Sequence, residues 1–148
     1  MATSSQPAPL DLSVLLVPDG YMLVCKARAQ GVQIYPCNSG VFGAAHPEAL
    51  MVTDRGDLIH HFAGPTWQAA DGSKVVGTKL QAASPNPAAI PWLLLSGAAS
   101  GPSDGLLSRV TFIQRLFTMG GNPPSGGCTG GEIPVVYEAE YFFYAPEY

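Results

Sequence analysis

The chain has 148 residues, one domain's worth, and a chain of that size buries about 68–70% of the surface its unfolded form exposes, so it holds a core without metals or many cross-links. Charged residues make up only 12% against about 25% in an average soluble domain, and hydrophobic residues 47%; such a charge-poor surface suits a secreted or cell-surface protein. Net charge is −4 and the seven bases are scattered, which argues against nucleic acid as a partner, and the longest apolar run, residues 90–95, contains Pro91 and falls far short of the roughly 18 residues of a membrane span.

Residues 1–20 read as an N-terminal arm with a first strand or turn, and 21–148 as a single β domain. The arm proper is residues 1–9. Residues 1–10 have no basic stretch followed by an apolar one and do not read as a signal peptide, which leaves a cytosolic protein and a mature secreted one both open.

Seventeen glycines and fourteen prolines break the rest before any helical period can run for three turns, which is the rhythm of an all-β fold. Residues 21–29 alternate, with Tyr21, Leu23, Cys25, Ala27 and Ala29 on one face. Gly31 interrupts them, and residues 32–37 continue as a second strand or a bulged extension. Strands at 49–53 and 58–62 flank Asp54-Arg55-Gly56-Asp57, so this Arg-Gly-Asp tripeptide reads as a hairpin apex. Strands at 66–70 and 74–81 flank Asp71-Gly72-Ser73, where a type I′ turn is expected. Turn chemistry accounts for Ser73, and no G-x-S-x-G elbow marks it as a nucleophile. Residues 92–95, 109–118 and 135–144 complete eight or nine strands. In the last, Tyr137, Ala139, Tyr141 and Phe143 share one face and Glu138 and Glu140 the other, the mark of an antiparallel sheet. The expected fold is an antiparallel β-sandwich or barrel with little helix, at most a short one near 103–107 or in the N-terminal segment.

Several fragments in order carry a resemblance: Gly31-Val32-Gln33-Ile34-Tyr35-Pro36-Cys37, His61-Phe62-Ala63-Gly64-Pro65-Thr66-Trp67, Asp71-Gly72-Ser73-Lys74-Val75-Val76-Gly77, Ile90-Pro91-Trp92-Leu93-Leu94-Leu95, Ile113-Gln114-Arg115, Gly120-Gly121 and Cys128. Together, over residues 21–144, they resemble a bacterial and fungal family of small, often secreted proteins classed as a domain of unknown function. The resemblance implies no activity. Some fungal members bear the label malate dehydrogenase, but this chain has no G-x-G-x-x-G after a strand and no βαβ rhythm.

Cys37 and Cys128 both fall in these fragments, at a strand end and in a Gly/Pro-rich loop, and are expected to form a disulfide. Cys25 reads as a buried thiol. No C-x-x-C occurs, and no cofactor or metal is expected. A set of His46, His61 and Glu138 is not supported by spacing. His60 and His61 point to opposite faces. His61 reads either as a general base or ligand contact, or as a hydrogen-bonded strand end. Gln114 and Arg115 lie in an apolar strand, where Arg115 calls for a carboxylate such as Asp71, Glu138 or Glu140, or else binds an anion. Tyr35, Phe62, Trp67 and Trp92 read as core anchors or as the wall of a pocket.

These residues point to a β domain binding a small molecule, a glycan or a surface polymer through Trp67, Trp92 and Tyr35, with His61 and Arg115 as polar handles. Two other readings stand beside it. One is a hydrolase using His61 with Asp71 or Glu138; the other is a structural or self-assembling surface protein.

Overall fold

The computed structural model describes residues 11–148, so the arm expected at 1–9 lies outside the described residues. After a single 3₁₀ turn (Ser13–Leu15) come nine strands: β1 (Tyr21–Asn38), β2 (Val41–Phe42), β3 (His46–Thr53), β4 (Leu58–Phe62), β5 (Thr66–Ala69), β6 (Lys74–Ala83), β7 (Trp92–Ser100), β8 (Phe112–Gly120) and β9 (Glu132–Pro146). No described helix is long and apolar enough to cross a membrane.

All neighbours pair antiparallel in the order β2-β1-β3-β4-β5-β6-β7-β8-β9, and β9 pairs back onto β1 from Tyr21↔Pro146 to Pro36↔Glu132. Eight strands therefore form a hydrogen-bonded ring, and β2 is a short addition to the end of β1. The β1–β9 ladder is what separates this arrangement from two stacked sheets, and it leaves the ring without an open edge.

β1 runs unbroken through Gly31, with no register shift there. The glycine serves close approach: a Cβ would sit 2.3 Å from the Glu48 carbonyl oxygen and 2.5 Å from Ala49 Cα. The bulge lies instead between Leu23 and Cys25, where Val24 is the extra residue. It flips the parity of the strand, so Cys25, Ala27 and Ala29 are buried while Leu23, expected beside them, is exposed.

The two tight hairpins share one solution. In each, a glycine amide donates back three residues (Gly56 to Thr53, Gly72 to Ala69), and Thr53 and Ala69 bond across to the carbonyls of Asp57 and Ser73. Gly56 and Gly72 have φ of +88° and +92°, and Asp71 is not left-handed. The loop at 70–72 is thus a three-residue turn with one left-handed glycine, not the type I′ turn expected.

No helix forms at 103–107, where turns replace it. The Asp71 carboxylate accepts from the Leu106 amide (2.7 Å) and Ser73 Oγ accepts from the Leu107 amide (3.0 Å). Amides that would enter a helical turn are held by side chains of the β5–β6 loop instead. Those bonds seat Leu107 and Val110, both buried, against that end of the ring.

Inside the ring, large side chains alternate with small ones. Trp67, Tyr137, Tyr141, Phe143 and Met51 pack with Ala27, Ala29, Ala49, Ala69 and Ala139. Gln114 points outward, where its Nε2 donates to the Leu15 carbonyl (2.7 Å) and its Oε1 accepts from Tyr144 (3.0 Å), pinning the N-terminal segment to the outer surface.

Candidate functional site

The two ends of the ring differ. The Leu107 end is filled. The opposite end gathers the close of β1, β4 and β8 and the start of β3, β5, β7 and β9. There the Cys37–Cys128 disulfide ties the loop after β8 to β1, across 91 residues of sequence. Backbone bonds from Cys37 to Gly131 (2.8 Å) and from Cys128 to Gly40 (3.1 Å) reinforce the tie.

At this end the interior is not filled. A cavity of about 260 Å³ remains, and seven of the eight ring strands contribute to its lining. The eighth, β6, contributes an absence: a Cβ on Gly77 would lie 2.8 Å from the Trp67 ring, so the glycine makes room for the indole.

The aromatic wall is built on His61. Its ring stacks on Trp67 at 4.4 Å and 10°, and Tyr141 meets both edge-on, at 5.1 and 5.6 Å. His61 is 2% exposed. Its Nδ1 lies 2.9 Å from the Thr66 carbonyl oxygen, which only accepts, so Nδ1 carries the proton. Nε2 is then an acceptor and receives a hydrogen bond from the Tyr141 hydroxyl (3.3 Å), whose oxygen in turn accepts from Tyr137 (3.2 Å). Burial pushes the imidazole down to about 3, against the smaller opposing effect of the Thr66 bond. Tyr137 and Tyr141 are pushed up, burial again being the main cause. His61 is therefore a neutral acceptor at the end of a fixed chain of hydroxyls.

Arg115 faces inward on β8, opposite Tyr141 of β9. Its Nε and Nη2 both donate to the Pro91 carbonyl (3.0 and 2.8 Å). The carboxylate partner expected for it is not there. Asp71 lies at the other end of the ring, bonded to Ser73 and Leu106. Glu138 sits on the outer surface with Arg28 (3.5 Å) and Gln30 (3.0 Å). Glu140, beside it in β9, alternates with the buried Ala139 and Tyr141. Those positions are set by strand parity, which sends every even-numbered β9 side chain from 138 to 144 away from the interior. Arg115's charge therefore acts unneutralised on Tyr35, His61, Tyr137 and Tyr141, favouring the ionised phenol and opposing the imidazolium.

The same geometry undoes the His–carboxylate pair of a hydrolase, since neither Asp71 nor Glu138 reaches His61. His60 points outward, as its neighbour's parity requires, and meets Glu48 at 2.8 Å. His46 lines the cavity with His61, but among the described residues no three His, Cys, Asp or Glu side chains converge to hold a metal. Ser73 is fully buried at the filled end.

Of the five residues singled out in the sequence, the structure brings His61, Trp67 and Arg115 to one cavity. Tyr35 is buried nearby, with its hydroxyl bonded to the Gly121 carbonyl, and is not part of the lining. Trp92 is outside the ring's cavity and packs edge-on against the exposed Phe117 at 5.1 Å. Gln33 and Tyr141 line the cavity without having been singled out. Gln33 had a usable signal: with β1 carried straight through Gly31, it is a polar residue on the inward parity of Ala27 and Ala29.

No curated protein and no solved structure matches the chain. A family model described as a protein of unknown function (DUF3455) matches residues 50–145, a stretch holding His61, Trp67, Leu93, Arg115 and Tyr141. That stretch exceeds half of the chain and runs from within β3 almost to the end of β9, and the chain belongs to the DUF3455 family.

Proposed function

We propose that this domain is a binding module that takes one small molecule into the cavity at the disulfide end of the ring. The observation that carries the reading is the contrast between the two ends. One is plugged by Leu107 and Val110, while the other leaves about 260 Å³ walled by His61, Trp67 and Tyr141, with Arg115 and Gln33 beside them. Eight-stranded rings have interiors just wide enough to be filled by side chains or to hold one small ligand. Aromatic walls with a few placed polar groups are the usual make-up of such sites. A pocket of this size suits a small molecule better than a polymer chain, and the hydrolase reading loses its support with the missing carboxylate. The disulfide is compatible with an extracellular protein, and we place the module outside the cell on that ground.

The test is amide chemical-shift mapping of the oxidised protein against a panel of small metabolites and sugars, with native mass spectrometry for adducts. Binding should move the amides of Leu93, Leu95, Arg115 and His61 together. If every compound leaves those four unmoved, the reading fails. Shifts confined to Trp92 and Phe117 would transfer the site to the outer surface.

A further inference from the structure

We infer that the ligand of this cavity is a small organic carboxylate with an apolar body, its anionic end seated on Arg115. The inference rests on the binding reading above and names the class of ligand.

The argument is a count of donors and acceptors. A guanidinium has five N–H groups and is always charged. Arg115 gives two of them to Pro91, which fixes the plane of the fork, and the Tyr141 hydroxyl draws on the guanidinium as well, so N–H groups remain over for a ligand. Gln33 is 6% exposed and lines the same cavity, where its amide can donate to a ligand. Trp67 lines it too, and its buried Nε1 has no hydrogen-bond partner. Buried donors are rarely left without acceptors.

Charge points the same way. None of the cavity-lining residues is Asp or Glu. The two close contacts between basic and acidic side chains among the described residues, Arg28–Glu138 and His60–Glu48, do not involve Arg115. A positive charge in a partly desolvated site calls for a counter-charge, and here the protein supplies none. A carboxylate fits a planar guanidinium through two parallel bonds. Leu93, Leu95, Pro47 and Pro65 on the remaining walls favour an apolar body over a free inorganic anion. The volume, about 260 Å³, lies just under the roughly 300–1,000 Å³ of drug-sized sites, which selects a small acid.

The experiment uses the full oxidised chain and matched probes: benzoate and hexanoate against benzamide and hexanamide, with inorganic phosphate as a further arm. Binding is read by amide shifts at Leu93, Leu95 and Arg115. The acids should bind at least about tenfold more tightly than their amides. Arg115→Met should remove that preference, and Arg115→Lys should retain part of it, each variant first checked for a native spectrum. Equal affinity of acid and amide for the unmodified protein overturns the inference and leaves the binding reading standing. Phosphate binding more tightly than either acid also overturns it. If neither acids nor amides shift the cavity amides, the inference falls, and the panel of metabolites and sugars decides the binding reading separately.

Discussion

The Nδ1 atom of His61 and the carbonyl oxygen of Thr66 lie 2.9 Å apart, and that contact sets the direction of the hydrogen bonds through three buried side chains. Because the carbonyl can only accept, the imidazole donates there and accepts at Nε2, and the hydroxyls of Tyr141 and Tyr137 follow in order. Burial of this ring, which the Thr66 bond only partly opposes, makes stability depend on pH. His61 is held near 3 in the folded chain, against 6.5 for an unperturbed histidine. Between those values the unfolded chain binds a proton that the folded chain refuses, so stability falls as pH falls. The slope from this one group approaches about 1.4 kcal/mol per pH unit. Urea unfolding at pH 6.5, 5.5 and 4.5 should show it, and His61→Phe should flatten it even if that variant is less stable throughout. An unchanged slope in the variant would mean that His61 is not the group responsible.

Gly77 tests the aromatic wall from behind. Its missing side chain leaves space for the Trp67 indole, and a Cβ there would come within 2.8 Å of the ring. Backbone at Gly77 is not left-handed, so Gly77→Ala acts by crowding alone. The expected cost is about 1–3 kcal/mol, the usual range for overpacking a filled core. Tryptophan fluorescence should shift with it, since the displaced indole carries the His61 stack along. A variant as stable as the parent, with unshifted emission, would show that the wall has slack that the geometry denies.

The ring was legible in the sequence where period 2 runs uninterrupted. β9 alternates cleanly from 137 to 143, and both its faces fall where the alternation puts them. The Asp-Gly and Arg-Gly-Asp turns sit at hairpin apices for the same reason, a glycine free to turn left-handed. Closure was not legible, because the pairing of β1 with β9 joins residues from 96 (Pro36↔Glu132) to 125 (Tyr21↔Pro146) positions apart and no local pattern encodes it. The parity of Tyr21 and Leu23 was hidden by a bulge at Val24, which is an ordinary β-former in an apolar stretch. Arg115 was readable as a cation on an apolar strand, and it is half-buried there, but its partner was not readable. A carboxylate was the natural guess, and a backbone carbonyl at Pro91 has no side-chain identity to betray it.

Ser73 is predicted to matter for stability and not for binding. Its hydroxyl donates to Asp71 (2.6 Å) and accepts from Leu107 (3.0 Å), at the end of the ring away from the cavity. Ser73→Ala leaves the buried Leu107 amide without its acceptor, a loss of about 1–3 kcal/mol. Thermal unfolding should record that loss while benzoate-induced shifts at the cavity stay as they were. A variant that folds normally but no longer responds at the cavity would join the two ends, against the division drawn above.

The cysteines make a last prediction that one alkylation experiment can read. Burial, with smaller help from Asp54 and Asp57, pushes the Cys25 thiol up to about 12, so it is neither ionised nor reachable near neutral pH. Cys37 and Cys128 are joined. Iodoacetamide should therefore add nothing to the native protein, one group in denaturant, and three after reduction in denaturant. Closing 91 residues stabilises the fold by about 4–5 kcal/mol in the chain-entropy account, an upper figure where the reduced chain keeps structure. Cys37→Ser with Cys128→Ser should lower the denaturation midpoint accordingly, and dithiothreitol should bring the parent to the same value. The β1–β9 ladder holds the ring closed without the bond, so the double variant should still show native strand signals at low denaturant. Labelling of Cys25 in the native parent would mean that the interior opens at β1, which the packing around Ala27 and Ala29 does not allow.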